Sequence, residues 1–168
     1  MTHLNQVDIL NVITHTDLNK NDLDAFKTMK NMPLVLVGNW THSQYGKDLI
    51  AQYSHLPNLH LLDPIYEPTT LNRLRSNCSV YIHGHSAGGT NPSLVEAMYL
   101  GLPIIAFDVI YNRVTTESTG IYFKTKEELL TRLVTLNEPT LRALGTTMKS
   151  IAERRYTWSF IAAKYAQI

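Results

Sequence analysis

Short apolar runs alternate along the chain with segments whose apolar residues recur at helical spacing. The runs that predict strands are 7–14, 33–37, 59–62, 79–83 and 103–107. Helices are predicted at 21–29, 47–53, 69–77, 92–100, 126–136, 140–154 and 158–166. Parallel strands need crossover connections, and the crossover helices cover both faces of the sheet. The order therefore predicts an α/β fold, a Rossmann-like three-layer α/β/α domain with a mainly parallel sheet.

Composition favours a single soluble domain. The chain is 44% hydrophobic and 17% charged, and no Pro-, Gly- or Ser-rich linker divides it, so residues 1–168 are interpreted as one domain. Fifteen basic against fourteen acidic residues give a net charge of +1, which offers little attraction for nucleic acid or an anionic membrane. Cys78 is the only cysteine, and the N-terminus lacks the cationic start and apolar core of a secretory signal. A cytoplasmic location is expected.

The fourth predicted strand runs into a glycine-rich turn and then a predicted helix. Gly84, Gly88 and Gly89 lack side chains where the chain turns, which allows positive φ and close approach of a ligand to the backbone. Asn91 is a good N-cap, and Pro92 suits the first helical turn, where its missing N–H costs nothing. Free N–H groups at such a helix start favour an anion such as phosphate. A glycine-rich turn that simply packs a helix closely is the alternative.

Three side chains near this turn are candidates for direct roles. Glu96 lies four residues after Pro92 on the same helix face, and helical side chains lean toward the N-terminus. Its carboxylate is therefore predicted to point at the anion site, the alternative being a solvated helix residue. His83 and His85 could share a face, but no third ligand has suitable spacing, so no metal site is predicted. His83 is interpreted as completing the strand and His85 as a hydrogen-bond partner at the site.

The segment HGHSAGGTNPSLVEAMYLGLPIIAFD resembles the donor-binding segment of retaining glycosyltransferases of the group 1, or family 4, type, which have the two-domain B-type (GT-B) fold. It is most similar to a rhamnosyltransferase-like branch in which HGHSxGGTNPSLxEAM recurs. The flanking runs LVLVGNW, LHLLDPIY and RYTWSFIAAKY resemble the strand before the nucleotide pocket, the loop along the base and the last helix. The resemblance covers nearly the whole chain, most strongly from Leu34 onward, and implies one half of a GT-B fold.

The resemblance implies roles for individual residues. Glu96 matches the family's glutamate that accepts hydrogen bonds from the ribose hydroxyls of the donor, and Lys20 falls where a lysine neutralises the leaving diphosphate. Tyr66 and Glu67 are interpreted as flanking the base, a packing tyrosine being the alternative. The residues of the turn expected to hold the donor sugar and diphosphate are Gly88, Gly89, Thr90, Asn91, Pro92 and Ser93.

Two positions depart from the family pattern. Gly88 stands where the family has a first glutamate that contacts the donor sugar, a substitution that the rhamnosyltransferase-like branch shares, and His85 is the candidate substitute. Thr14 stands where the family has an arginine, which leaves Lys20 as the one diphosphate cation carried over. Lys20 and His85 are therefore the predicted catalytic residues. Residues 112–113 are interpreted as a loop at the pocket rim or, equally, as plain surface.

The resemblance also implies the substrates. The expected donor is a UDP-, dTDP- or GDP-linked sugar, with no metal or other cofactor, and the acceptor is a saccharide or a lipid-linked molecule. In the family, the acceptor binds an N-terminal domain that this chain does not resemble, so the isolated domain is expected to be inactive. Contact with the inner face of the membrane is expected to be peripheral at most. The alternatives are a non-catalytic nucleotide-binding or assembly module and a sugar-nucleotide epimerase, for which the necessary carboxylates are missing.

Overall fold

The computed structural model describes residues 11–14, 20–29 and 31–166, with side chains from Leu23 onward except that of Lys164. Within these ranges the strands form one sheet in which all neighbours are parallel. The strands are β1 (Asn11–Thr14), β2 (Leu34–Val37), β3 (Leu59–Leu62), β4 (Val80–His83), β5 (Ile104–Phe107) and β6 (Ile121–Phe123). Their order is β3-β2-β1-β4-β5-β6, the order of the Rossmann fold.

Helices connect the strands and continue beyond β6. They are α1 (Lys20–Ala25), α2 (Gln44–Tyr53), α3 (Pro68–Ser76), α4 (Pro92–Tyr99), α5 (Ile110–Thr115), α6 (Lys126–Thr135), α7 (Glu138–Arg155) and α8 (Trp158–Tyr165). Each of β1 to β5 ends on the predicted residue, although residues 7–10 of the first predicted strand lie outside the described residues. Neither α5 nor β6 was predicted from the sequence.

The start of α2 also differs from the prediction. The helix begins at Gln44 rather than at residue 47, because the Ser43 hydroxyl accepts a hydrogen bond from the backbone N–H of Gly46 at 3.1 Å and caps the first turn. The start of α2 is therefore set by the Ser43 cap, which precedes the apolar residues from which the helix was predicted.

The core occupies both faces of the sheet, because successive strand residues point to opposite sides. Leu34, Leu36 and Ile82 are buried against α1, α2 and α6 on one face. Tyr81 and Ile104 are buried with residues of α4 and α7 on the other. The helices therefore cover both faces, and the predicted three-layer α/β/α fold is confirmed.

Two glycines determine how closely α4 packs against α7. Gly101 follows α4 with φ of +72°, a conformation that suits glycine at the end of a helix, and its N–H donates to the Met98 carbonyl at 2.9 Å. On α7, a Cβ on Gly145 would lie only 2.2 Å from the Gly101 carbonyl oxygen. The backbone of α7 therefore contacts the turn that ends α4. This contact fixes the position of α4 at its C-terminal end.

Candidate functional site

A cleft of about 850 Å³ opens at the carboxyl ends of β2, β3 and β4. Small-molecule sites typically have volumes of about 300–1,000 Å³. The walls are residues 37–39 after β2, residues 64–66 before α3, one face of α3, His85 after β4, and the beginning of α4. In an open parallel sheet, ligands bind outside the carboxyl ends of the strands, near the point where the strand order reverses. The cleft lies at this edge, with β1 and β4 adjacent at the reversal.

One wall of the cleft is α3, whose start is fixed by Glu67. The Glu67 carboxylate accepts hydrogen bonds from the backbone N–H groups of Thr69 at 2.8 Å and Thr70 at 2.6 Å, while Pro68 occupies the first turn. The carboxylate of Glu67 therefore caps the helix, and the interpretation of Glu67 as a neighbour of the base stays a prediction. An acidic residue directly before a proline that starts a helix was the signal for this role.

The cap predicts an acid-sensitive contribution to stability. Hydrogen bonds from Thr70 and then Thr69 lower the pKa of Glu67 from 4.5 to about 2. Because the folded-state pKa is depressed, the ionised carboxylate stabilises the fold above pH 4.5, and this contribution is lost as the pH falls toward about 2. Glu67→Gln is expected to melt at a lower temperature than the wild type at neutral pH, and the difference is expected to shrink below pH 4.5. Thermal denaturation at a series of pH values measures it.

The matched control for that experiment is Glu153→Gln, at an exposed position of α7. Its melting temperature is expected to follow that of the wild type across the series. A Glu67→Gln difference that stays constant with pH would show that the charge of Glu67 contributes nothing to the cap.

Another wall is the beginning of α4, where Asn91 is the N-cap and Pro92 lies in the first turn, as predicted. The Asn91 Oδ1 accepts hydrogen bonds from the Ser93 N–H at 3.0 Å and the Ser93 hydroxyl at 2.8 Å, and its carbonyl accepts from the Leu94 N–H at 3.1 Å. The expectation of free N–H groups at this helix start was therefore wrong, because Asn91 already binds them. Residues 88–90, directly before this cap, form an exposed loop.

A charged pair spans the cleft from α3 to α4. Glu96 Oε2 accepts a hydrogen bond from Arg75 Nη1 at 2.7 Å, and the side chains are 55% and 3% exposed, respectively. Among the described residues that line the cleft, these are the two with formal charges. Their charges cancel, so the described lining is neutral overall. Glu96 lies in the cleft as predicted, whereas Arg75 was missed by the sequence analysis.

His85 and Gly88 lie side by side. Gly88 has φ of +92°, a conformation that favours glycine, and a Cβ placed on it would come within 3.5 Å of His85 Nε2. The His85 side chain lines the cleft and is partly exposed. The imidazole therefore borders the space that a side chain at position 88 would enter, and the role of His85 stays a prediction.

Asn112 ties the loop after β4 to the end of β5. Its Nδ2 donates hydrogen bonds to the carbonyl oxygens of His85 at 3.0 Å and Phe107 at 2.9 Å, and the residue is buried. Arg113 forms an ion pair with Asp108. The interpretation of residues 112–113 as a loop at the pocket rim was wrong, because both belong to α5. Asn112 is therefore a buried residue whose hydrogen bonds fix the position at which the loop containing His85 leaves β4.

The other residues predicted for the site differ in where they lie relative to the cleft. Tyr66 lines the cleft and is 86% exposed, which excludes the packing alternative. Gly89 and Thr90 stand on the exposed loop beside the cleft. Lys20 is the first residue of α1, and its side chain lies outside the described residues, so its role stays a prediction.

His83 ends β4 and is buried, as interpreted, and its ring centroid lies 5.9 Å from that of His85. Among the described residues, no three His, Cys, Asp or Glu side chains come together in a way that could hold a metal ion. In the same part of the chain, no helix combines the length and apolar character needed to cross a membrane.

The strand order and the cleft at its carboxyl edge define a Rossmann-like ligand-binding domain. Residues 11–136 match the family described as Glycosyl transferases group 1, and the chain belongs to that family. A comparison with curated protein sequences found no match.

Solved structures with the same fold include several glycosyltransferases. Sucrose-phosphate synthase from Thermosynechococcus elongatus has a TM-score of 0.72 and 20% identity over 96% of this chain and 45% of that one. A TarM variant from S. aureus, solved with UDP, has a TM-score of 0.76 and 15% identity over 96% and 35%. Pneumococcal O-GlcNAc transferase GtfA, solved with UDP and GlcNAc, has a TM-score of 0.69 and 19% identity over 95% and 35%. The chain spans less than half the length of each.

Proposed function

We propose that this chain is the nucleotide-sugar donor-binding domain of a retaining glycosyltransferase of the rhamnosyltransferase-like branch. The enzyme would transfer a hexose or deoxyhexose to a saccharide or lipid-linked acceptor in surface polysaccharide assembly. The observation that carries the proposal is the presence of Glu96, His85 and Asn91 in one cleft at the ligand-binding edge of the sheet. Membership in the glycosyl transferases group 1 family supports a transferase.

The cleft offers a position for each part of a nucleoside diphosphate. Residues 64–66 and 37–39 form the side proposed to receive the base, with Tyr66 exposed to stack on it. Glu96 lines the same cleft from α4, and its carboxylate would accept hydrogen bonds from the ribose hydroxyls. The diphosphate would then reach the amides of loop 88–90. UDP-, dTDP- and GDP-sugars are the candidate donors, and no step needs a metal.

The proposed chemistry is a substitution in which the new bond forms on the face that the leaving group vacates. The bond between the anomeric carbon and the diphosphate oxygen breaks, the acceptor hydroxyl oxygen bonds to that carbon, and the hydroxyl proton passes to the departing phosphate. The main requirement is stabilisation of charge developing on that phosphate, which Lys20 and the loop amides would supply. His85 would hold the donor sugar by a hydrogen bond. No side-chain nucleophile is needed.

Replacing Glu96 tests the donor site directly. Glu96→Ala is expected to weaken nucleoside diphosphate binding by about 1.5–3 kcal/mol, the usual value of hydrogen bonds to a charged group. This corresponds to a loss of about 10–150-fold in affinity. Isothermal titration with UDP, GDP and dTDP measures it. Because the substitution also removes one partner of the buried Arg75, circular dichroism and thermal melting establish that the variant is folded before it is titrated.

Glu153→Ala, at an exposed helical position on α7, is the control and is expected to bind as the parent does. Equal affinity of the Glu96→Ala variant and the parent would contradict the ribose assignment. Failure of all three nucleotides to bind the parent at millimolar concentration would contradict a donor site in this cleft.

A non-catalytic nucleotide-binding module is the second candidate. The observation that favours it is Gly88, which supplies no carboxylate to the donor sugar. Both candidates predict nucleotide binding, so binding does not separate them. Sugar transfer by the chain joined to an acceptor-binding domain supports the enzyme, whereas binding without transfer in that joined protein supports the module.

A further inference from the structure

We propose that Arg75 is a positioning residue that holds Glu96 in place for the donor ribose, an inference that rests on the proposed function. Arg75 lies on α3 and Glu96 on α4, and Nη1 and Oε2 are 2.7 Å apart. The arginine side chain is 3% exposed and the glutamate side chain 55%. The buried partner is confined by its surroundings, whereas the exposed partner would otherwise sample several rotamers. Arg75 therefore restrains Glu96.

The pairing leaves Glu96 able to bind a ligand. A carboxylate has two oxygens and about four sites for accepting hydrogen bonds. In the described part of the chain, the contact with Arg75 engages Oε2, and Oε1 accepts no protein hydrogen bond. Two neighbouring ribose hydroxyls can thus be received while the guanidinium stays in place. The arginine also lines the cleft, so the pair stands at the ligand position.

Fold stability gives a poor explanation for this arginine. A buried ion pair contributes little to stability in general, because removing both charges from water offsets their attraction, and an apolar residue often serves as well. The preceding residue of α3 is apolar, and Leu74 packs, partly buried, against Val35 and Cys78. A charged group in such surroundings is better explained by what its partner does in the cleft.

If Arg75 positions Glu96, the preference for ligands that carry ribose hydroxyls should depend on Arg75. A long side chain that is already ordered before binding loses less conformational freedom when the ligand arrives. Removing Arg75 should therefore weaken only those ligands that contact Glu96 through ribose hydroxyls. The selectivity ratio is the affinity for a ribonucleoside diphosphate divided by the affinity for its 2′,3′-dideoxy analogue. A general disturbance of the cleft would lower both affinities and leave this ratio unchanged.

The experiment compares UDP and GDP with their 2′,3′-dideoxy forms by isothermal titration of the chain. For Arg75→Met, the affinity for the ribonucleotide that binds the parent is expected to fall about tenfold, while that for its dideoxy analogue changes less than about twofold. Glu96→Gln is expected to lose the ribose preference, and adding Arg75→Met to it should lower the ratio no further. Arg75→Lys, which keeps the charge, is expected to retain part of the preference and remains measurable if Arg75→Met does not fold.

Arg73→Met provides the control, because Arg73 is exposed on the same helix, and it should keep the parental ratio. An unchanged ratio in both Arg75 variants, or an equal loss of both ligands, overturns the positioning role while leaving the donor site standing. If the parent binds neither UDP nor GDP in either form, the positioning role fails, and the donor site fails with it if dTDP does not bind either.

Discussion

Gly145→Ala is expected to lower the free energy of unfolding by about 3 kcal/mol, which is large for the addition of one methyl group. The new Cβ would lie 2.2 Å from the Gly101 carbonyl oxygen. That oxygen belongs to a turn whose φ is +72°, so the backbone cannot move away without loss of the turn. Alanine favours a helix over glycine by about 1 kcal/mol, which is too little to offset the clash. Thermal or urea denaturation measures the result, with a fall in melting temperature of about 6–12 °C.

Ser150→Ala is the control, because Ser150 is exposed on the same helix and its replacement tests helix propensity without the clash. It is expected to leave stability unchanged or slightly raised. If Gly145→Ala is as stable as Ser150→Ala, then α7 can retreat from the Gly101 turn at little cost. In that case the contact does not fix α4.

A polypeptide of these 168 residues is expected to bind a nucleoside diphosphate and to transfer sugar negligibly. The cleft proposed to bind the donor lies within the chain, while the positioning of an acceptor in the proposed enzyme belongs to another domain. Correct positioning of a reacting group is equivalent to an effective concentration of about 10⁵–10⁸ M, so turnover without it should be lower by at least about 10⁵-fold. The measurement is release of nucleoside diphosphate from UDP-, dTDP- and GDP-sugars in the presence of saccharide acceptors.

The comparison that makes this result informative is the same chain joined to the N-terminal domain of a glycosyl transferases group 1 protein. Transfer should be restored there and should be lost again with Glu96→Ala. Robust transfer by the 168 residues alone would show that acceptor positioning is also encoded within this chain.

The strands were the most predictable part of the fold. β2 to β5 are short, mainly apolar runs, each followed directly by Gly or Asp, and a parallel sheet covered on both faces leaves this signal in the sequence. β6, by contrast, has three residues, Ile121–Phe123, and so short a run has no periodicity to recognise. The preceding helix α5 reads IYNRVT, and its β-branched and polar residues suppress the helical pattern.

Residues of the candidate site could be predicted from the sequence when their role depends on neighbouring residues in the chain. They could not be predicted when the role depends on tertiary packing. Asn91 and Pro92 act within one turn of their own helix, so the sequence was sufficient to predict the cap. Arg75 is different, because a basic residue in the last turn of a helix is usually solvated and interacts well with the helix dipole. Its burial and its contact with Glu96 depend on tertiary packing, which the spacing of residues along the chain does not encode.

The two asparagines around the His85 loop have a consequence for how donor preference could be changed. Asn112 holds the His85 carbonyl at one end of the loop, and Asn91 fixes the helix start at the other. Between them, residues 86–90 are exposed, and an exposed segment between fixed ends tolerates exchange. Residues 86, 87, 89 and 90 can therefore be diversified in a library while both anchors are kept. Gly88 is kept as well, because its φ of +92° favours glycine.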